Sequence, residues 1–360
     1  MQFLVHWQPL RDFCSTLLVR HGVSVEVAEL VGDSLVAANL RGVDSHGVQM
    51  LLPYIGQLVN GSIDGQAMGE VAAESGGCLT YDGHNGFGQI AAERCVAHAV
   101  RLGRNFGVSV VVARNSNHFG AAAYWGQRIA AEGCIGIVTC NTSPAVPPWQ
   151  GREARLGTNP FCMAVPGSEH GGWLLDMATT TVALGKIHDA VWMGKPSIPA
   201  GWVTDASGNP ITDPQEAING LPTPLGGYKG TGMAMMVEIL SAVLSGGPVG
   251  PDVGTLRAGE DTPQRVSLMF LAIDLERFVN LAEFLKRMRS FTEGVKSSAP
   301  APGYEEVLVA NEPEYRAEQR RKREGIPIPA RLFEALGQAA RPFDLPLPVA
   351  VKETSSAQNG

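Results

Sequence analysis

Several signatures that would settle a function early are missing. None of the eight histidines pairs with another at i,i+4 and no HExxH occurs, so a zinc hydrolase has no support. There is no GxSxG elbow, no Walker lysine loop and no strand-GxGxxG-helix unit; the nearest sequence, residues 83–88, has the wrong spacing. Any nucleotide is therefore held by something other than the usual dinucleotide turn. Cysteines 14, 78, 95, 134, 140 and 162 form no CxxC pair, and several lie in apolar runs. They read as small core residues, not as a disulfide framework or zinc ribbon. Basic residues are outnumbered, 28 against 35, and the net charge of -7 argues against a nucleic-acid partner. No apolar run reaches the length of a membrane span, since residues 233–244 are interrupted by Glu238, and the N-terminus lacks a basic n-region. The expectation is a globular cytoplasmic protein with reduced thiols and no membrane contact.

What is present is an α/β pattern behind a helical start. Leu10, Phe13, Leu17 and Leu18 make one amphipathic stripe, and Val27, Leu30, Val31, Leu35 and Leu40 a second, with Ser24 as its N-cap. A third apolar stretch covers residues 50–58. Residues 1–75 thus read as a mainly helical N-terminal subdomain, joined by the segment 305–350. Residues 76–300 read as an α/β region. Within it, 108–113 and 134–140 are short β-branched runs typical of buried strands, and 121–131 is an alanine-rich helix between them. Proline and glycine thicken from 194 to 227, which predicts a long surface passage with little regular structure. A glycine-rich start at 226–230 opens a helix over 231–245, whose methionines 233, 235 and 236 read as core filler. Residues 267–273 predict another buried strand and 278–289 an amphipathic helix. The basic run Arg316, Arg320, Arg321, Lys322 and Arg323 reads as a solvated helix face. Residues 354–360 are polar and read as a disordered tail.

Chemistry gathers at the ends of apolar runs. Asp44-Ser45-His46 is one cluster and Asn117-His118, where a buried strand gives way to a helix, is another. Thr158 in Gly157-Thr158-Asn159-Pro160 is a third, Asp176 with Thr179 and Thr180 a fourth, and Lys229 at a helix start a fifth. An imidazole titrates near neutrality and can exchange a proton with an alcohol or carbonyl. Backbone N–H groups at a helix start, with a lysine, can hold an anion. Each cluster also has a plain structural reading. Asn-Ser-Asn is common turn chemistry, and a loop histidine often satisfies only a backbone group.

The wording and order of these clusters resemble the type-2 malate/L-lactate dehydrogenase family, the L-sulfolactate dehydrogenase-like oxidoreductases. The resemblance is carried by residues 41–48, Asp82-Gly83 with Gly88-Gln89, residues 115–121, 157–160 and 176–179, Gly201-Trp202 with Asp205, Asp213-Pro214, and residues 224–230. Pro302-Gly303 and Gly325-Ile326 follow, so it spans roughly 10–340. It implies a non-Rossmann α/β fold with a mixed sheet and NAD or NADP as cofactor. It also implies a small 2-hydroxy or 2-oxo acid, or a related imine, as substrate, and a homodimer with the active site near the subunit contact. Carried over by position, Ser45 and His46 match a catalytic pair. His118 matches a proton acceptor in some members and a cofactor contact in others. Phe119, Gly120, Ala121, Ala122, Asp176, Met177, Ala178, Lys229, Pro302 and Gly303 match cofactor contacts, and Thr158 a substrate contact.

Two departures bear on the substrate. Many members have arginine five residues after the serine of the Ser-His pair, a clamp for a carboxylate; here Met50 stands there, and a thioether cannot replace a guanidinium. Arg41, Arg114, Arg152 and Arg155 are the alternative cations. Some members also carry an acidic relay residue after the Asp-Met-Ala-Thr run, where Lys186 stands here and Asp189 is offset. Besides the dehydrogenase, the residues leave open a cofactor-independent lyase or hydrolase acting on a small acid, and a catalytically retired metabolite-binding protein.

Overall fold

The computed structural model describes residues 1–167, 170–192, 194–255 and 262–354. Strand β1 (Gln2–Val5) precedes three helices, α1 (Trp7–Arg20), α2 (Val25–Leu40) and α3 (Leu51–Val59). The Ser24 hydroxyl caps α2 by accepting from Val27 N–H. The two stripes read from sequence turn inward: Leu10, Leu17, Leu18, Val31 and Leu35 are fully buried. Their core also takes Ile326, Ile328, Leu336 and Ala340 from the far end of the chain.

The α/β region follows in order: β2 (Glu70–Ser75), β3 (Cys78–Asp82), α4 (Gly88–Phe106), β4 (Val108–Ser116), α5 (Ala122–Ala131), β5 (Cys134–Cys140), β6 (Phe161–Val165), β7 (Trp173–Met177) and α6 (Leu184–Trp192). The Pro/Gly passage folds more than its composition predicts. It holds a small sheet of β8 (Val203–Thr204), β9 (Pro210–Ile211) and β10 (Leu221–Pro222), with a short helix α7 (Pro214–Ala217). Then come α8 (Tyr228–Glu238), continued by a π-helical turn at Ile239–Val243, β11 (Val266–Asp274), α9 (Leu281–Lys296), α10 (Glu312–Glu324), β12 (Ile326–Pro329), α11 (Ala330–Ala340) and β13 (Ala350–Thr354).

Seven strands form the main sheet in the order β2-β3-β4-β11-β5-β6-β7. Only β3 and β4 run parallel; the remaining neighbours are antiparallel, so the sheet is mixed. β11 pairs on one side with β4 and on the other with β5. β11 also packs against α4 and the π-helical turn, and Val266, Ser267, Leu268, Met269 and Phe270 are all buried.

Four expectations need correction. Residues 1–75 contain two strands that no periodicity signalled: β1 is four residues long, and β2 has every residue exposed. Met235 and Met236 are not core filler, being 51% and 37% exposed. They belong to an uncovered apolar stripe along α8 and its π turn, with Tyr228, Ile239, Val243 and Leu244. Arg321 is not on a solvated face: it lies 12% exposed against Asp44. Thr354, assigned to the tail, ends strand β13, while the rest of that tail, 355–360, lies outside the described residues. The cysteines are all free and, Cys78 apart, buried. No helix among the described residues is long and apolar enough to cross a membrane.

Candidate active site

Strand β4 runs three residues beyond its apolar core, and Asn117 and His118 begin where it stops. This loop is held from below by the glycine-rich turn at 83–88. Asn117 is fully buried and donates from Nδ2 to Asn85 O (3.1 Å) and Gly86 O (2.9 Å). A Cβ on Gly88 would lie 2.1 Å from Asn117 O and 2.5 Å from His118 O, so only glycine permits this approach. The His118 N–H donates to Gln264 Oε1 (3.1 Å). The sequence that fails as a dinucleotide turn is therefore the seat of the histidine loop.

The second histidine comes from the N-terminal helices. After α2 the chain makes a 3-10 turn over Asp44–His46, because Gly42 at φ +79° turns it out of the helix. Asp44 is gripped from both sides. Arg321 of α10 donates from Nη1 and Nη2 to its two oxygens (2.6 and 2.9 Å), and Asn39 Nδ2 donates to Oδ1. Asn39 Oδ1 in turn accepts from Val48 N–H (2.8 Å). Between these fixed points His46 faces His118, with ring centroids 5.5 Å apart and planes 26° from parallel. Ser45 Oγ lies 3.0 Å from His46 Nδ1. Two imidazoles 72 residues apart are thus brought into ring contact.

Their electrostatics differ. Burial, with the nearby His46 charge second, drives the His118 pKa down to about 3. Burial also lowers that of His46. Two stacked rings cannot both carry a proton cheaply, and burial with the His46 charge keeps His118 neutral.

The remaining clusters meet one another around the ends of α5, β7 and α8. Asp176, at the end of β7, accepts from Ala123 N–H at the start of α5 (2.8 Å). Asp176 is exposed as a residue, but the protein atoms crowded around its carboxyl cost it hydration and push its pKa up to about 6. The Ala123 N–H and the Arg41 charge pull the other way. Thr179 donates from both N–H and Oγ1 to Thr158 O (2.9 Å each), and its own carbonyl accepts from Leu225 N–H (3.0 Å). A Cβ on Gly230 would lie 2.3 Å from Leu225 N and 2.8 Å from Thr179 O, so the start of α8, which carries the exposed Lys229, packs at the same corner.

Some assigned residues stand differently. Phe119 is 2% exposed and stacks on Trp125, so only its backbone can meet a ligand. Gly120 (φ +81°) is buried, and a Cβ there would sit in ordinary contact with Gln89 Nε2 and Ser34 Oγ, 3.9 Å from each. Ala121 and Ala122 are buried and Met177 and Ala178 half-buried. Met50 packs on the N-terminal core. Pro302 and Gly303 form an exposed turn, closed by Tyr304 N–H donating to Ala301 O (3.0 Å). Of the alternative cations, Arg114 pairs with Asp82 (3.2 Å) and Arg155 with Glu153. Arg41 donates to Asn311 Oδ1 (2.7 Å), while its buried Nε has no partner among the described residues. The Asp189 side chain lies outside the described ones. Tyr54, Gln89, Gln264, Asn39 and Arg321 support the site without having been marked for it. Only the polar Gln89, inside a quoted motif, offered a signal.

The model of the family described as malate/L-lactate dehydrogenase matches residues 5–337. The chain belongs to that family. It is 37% identical over 340 residues to a malate dehydrogenase of Pyrococcus horikoshii, covering 92% of this chain and 93% of that one. It is 36% identical over 332 residues to an L-sulfolactate dehydrogenase of Methanocaldococcus jannaschii, covering 91% and 94%. The solved malate dehydrogenase of Entamoeba histolytica superposes with a TM-score of 0.92 at 30% identity, covering 97% of this chain and all of that one. The mixed sheet is thus the L-sulfolactate dehydrogenase-like fold. As a member of this family of hydroxy-acid dehydrogenases and related reductases, the chain is an oxidoreductase, and the family favours neither the lyase or hydrolase nor the retired binding protein.

Proposed function

We propose that this protein moves a hydride between a nicotinamide cofactor, NAD or NADP, and a small 2-hydroxy or 2-oxo acid or a related imine. The observation that carries the reading is the stacked His46–His118 pair beside the Asp176-capped start of α5. The residues suit such a cofactor in two places. Asp176 is an acceptor that would hold a carboxamide or ribose hydroxyl and repel a phosphate. Lys229 stands among backbone N–H groups at the first turn of α8, a setting suited to pyrophosphate. The nicotinamide, when bound, supplies or accepts the hydride. The chain's own part is to orient the acid and manage one proton. His46 gives that proton to the developing alkoxide in reduction and takes it from the hydroxyl in oxidation, with Ser45 steadying its Nδ1. Thr158 meets the substrate, and Met50, packed on the N-terminal core, offers no cation for its carboxylate.

The assembly we infer is a homodimer. The uncovered stripe of Tyr228, Met235, Met236, Ile239, Val243 and Leu244 is continuous along one helix and begins beside Lys229. Exposed apolar surface of that kind marks a protein interface.

The test is a panel of 2-oxo acids and cyclic imines against NADH and NADPH, followed at the nicotinamide absorbance. Turnover of at least one, abolished in His46→Asn, is the expected result. No turnover with any, or a fully active His46→Asn, would remove the assignment.

A further inference from the structure

The neutral imidazole of His118 has one N–H and one lone pair, and its surroundings choose which nitrogen carries which. Tyr54, from α3, places its Oη 2.7 Å from His118 Nδ1. Gln89, from the first turn of α4, donates from Nε2 to that same Oη (3.0 Å). With its oxygen already accepting, the Tyr54 hydroxyl points its own hydrogen at Nδ1. The Gly120 N–H is aimed at Nδ1 as well (3.4 Å). Two donors therefore converge on one ring nitrogen. Both Tyr54 and Gln89 are fully buried, so no water competes for these bonds. Tyr54 is further held by an edge-to-face contact with Phe87, centroids 5.8 Å apart.

From this geometry we propose that Tyr54, pinned by Gln89, locks His118 in the tautomer with hydrogen on Nε2, as a fixed hydrogen-bond donor. A ring in that state has no free lone pair: Nδ1 is occupied and Nε2 carries hydrogen. It can polarise a carbonyl but cannot take up a proton. Tyr54 cannot relay one either, since burial pushes its phenol pKa well above the ordinary value. The titratable ring facing His118 is His46, to which acid–base exchange falls by exclusion; this last step rests on the dehydrogenase reading. Tyr54 and Gln89 are then positioning residues, acting through His118.

The experiment is a long-range 1H–15N correlation spectrum of the full-length protein labelled at histidine, with His118→Asn used for assignment. Wild type should give Nδ1 as the unprotonated nitrogen of His118 at every point between about pH 6 and pH 8. Tyr54→Phe keeps the ring packed on Phe87 and removes one hydroxyl. The His118 nitrogens should move toward a mixture of tautomers, and kcat should fall about tenfold with cofactor KM unchanged. Gln89→Met should shift them in the same direction by less. A purely structural role for Tyr54 would leave the nitrogen shifts where they were. Wild type with hydrogen on Nδ1, or unmoved shifts in Tyr54→Phe, overturns the proposal. The spectra need no turnover, so a failed substrate panel and a failed tautomer lock are separate outcomes.

Discussion

Replacing Arg321 by methionine probes the placement of Ser45 and His46 from a helix that touches neither ring. The side chain makes two charge-assisted bonds to the Asp44 carboxylate and one to Asn39 O. Arg321 is 12% exposed and Asp44 48% exposed. A bond of this type is worth about 1.5–3 kcal/mol when both partners are dry. Asp44 is half in water and keeps its Asn39 bond, so the sum is discounted to about 2 kcal/mol of stability. Methionine preserves much of the apolar stem, which leaves lost charge pairing as the main change. The larger effect falls on turnover: a catalytic group displaced by about 1 Å can lose about 100-fold in rate. The expected pattern is a urea midpoint lowered by the equivalent of about 2 kcal/mol and kcat down 10- to 100-fold, with cofactor KM near wild type. Arg321→Lys keeps the charge without the fork and should fall between. Wild-type kcat in Arg321→Met, at whatever stability, would refute the reasoning.

Three further outcomes can be checked. The folded pKa of His118 is about 3 against 6.5 unfolded, so the native state binds fewer protons between those values. Its contribution is complete above about pH 6.5 and is lost as pH falls toward 3, roughly 3–5 kcal/mol in all; His118→Asn should flatten the urea midpoint across that window. Gly88→Ala puts a methyl against the carbonyls of Asn117 and His118. It should cost about 2–4 kcal/mol by denaturation and remove most turnover, whereas unchanged values of both would contradict the seat described. Ile239→Glu with Val243→Glu should elute as a monomer in size-exclusion chromatography with light scattering, and a dimer at wild-type strength would move the interface elsewhere.

What the sequence could reveal followed burial. β5 was readable to the residue and β4 and α5 nearly so, because alanine and β-branched runs flanked by glycine have few other solutions. β2 was not, since Glu70–Ser75 has no buried face to impose alternation. The α8 methionines were misread because periodicity marks a face as apolar without saying what covers it. Arg321 was lost in a charge run whose neighbours face water. His46 and His118 were each visible as polar breaks in apolar patterns. That they stack, and that Tyr54 turns one of them, depends on contacts between α3, α4 and the β4–α5 loop that no local pattern carries. The family resemblance supplied the pair but not the tyrosine, which looked like one more member of an apolar stripe.

β1 lies between β12 and β13, with Val5 opposite Ile326 and Phe3 opposite both Ile328 and Glu353. β1 therefore has no strand partner until more than 300 further residues have followed it along the chain. Through that interval α1 and α2 can pair with each other but lack the floor that β12 and α11 give them. Closing so long a loop comes late in folding. Arg321, which steadies Asp44, arrives in the same late stretch, so the nascent chain gains a sealed helical layer and a set His46 together.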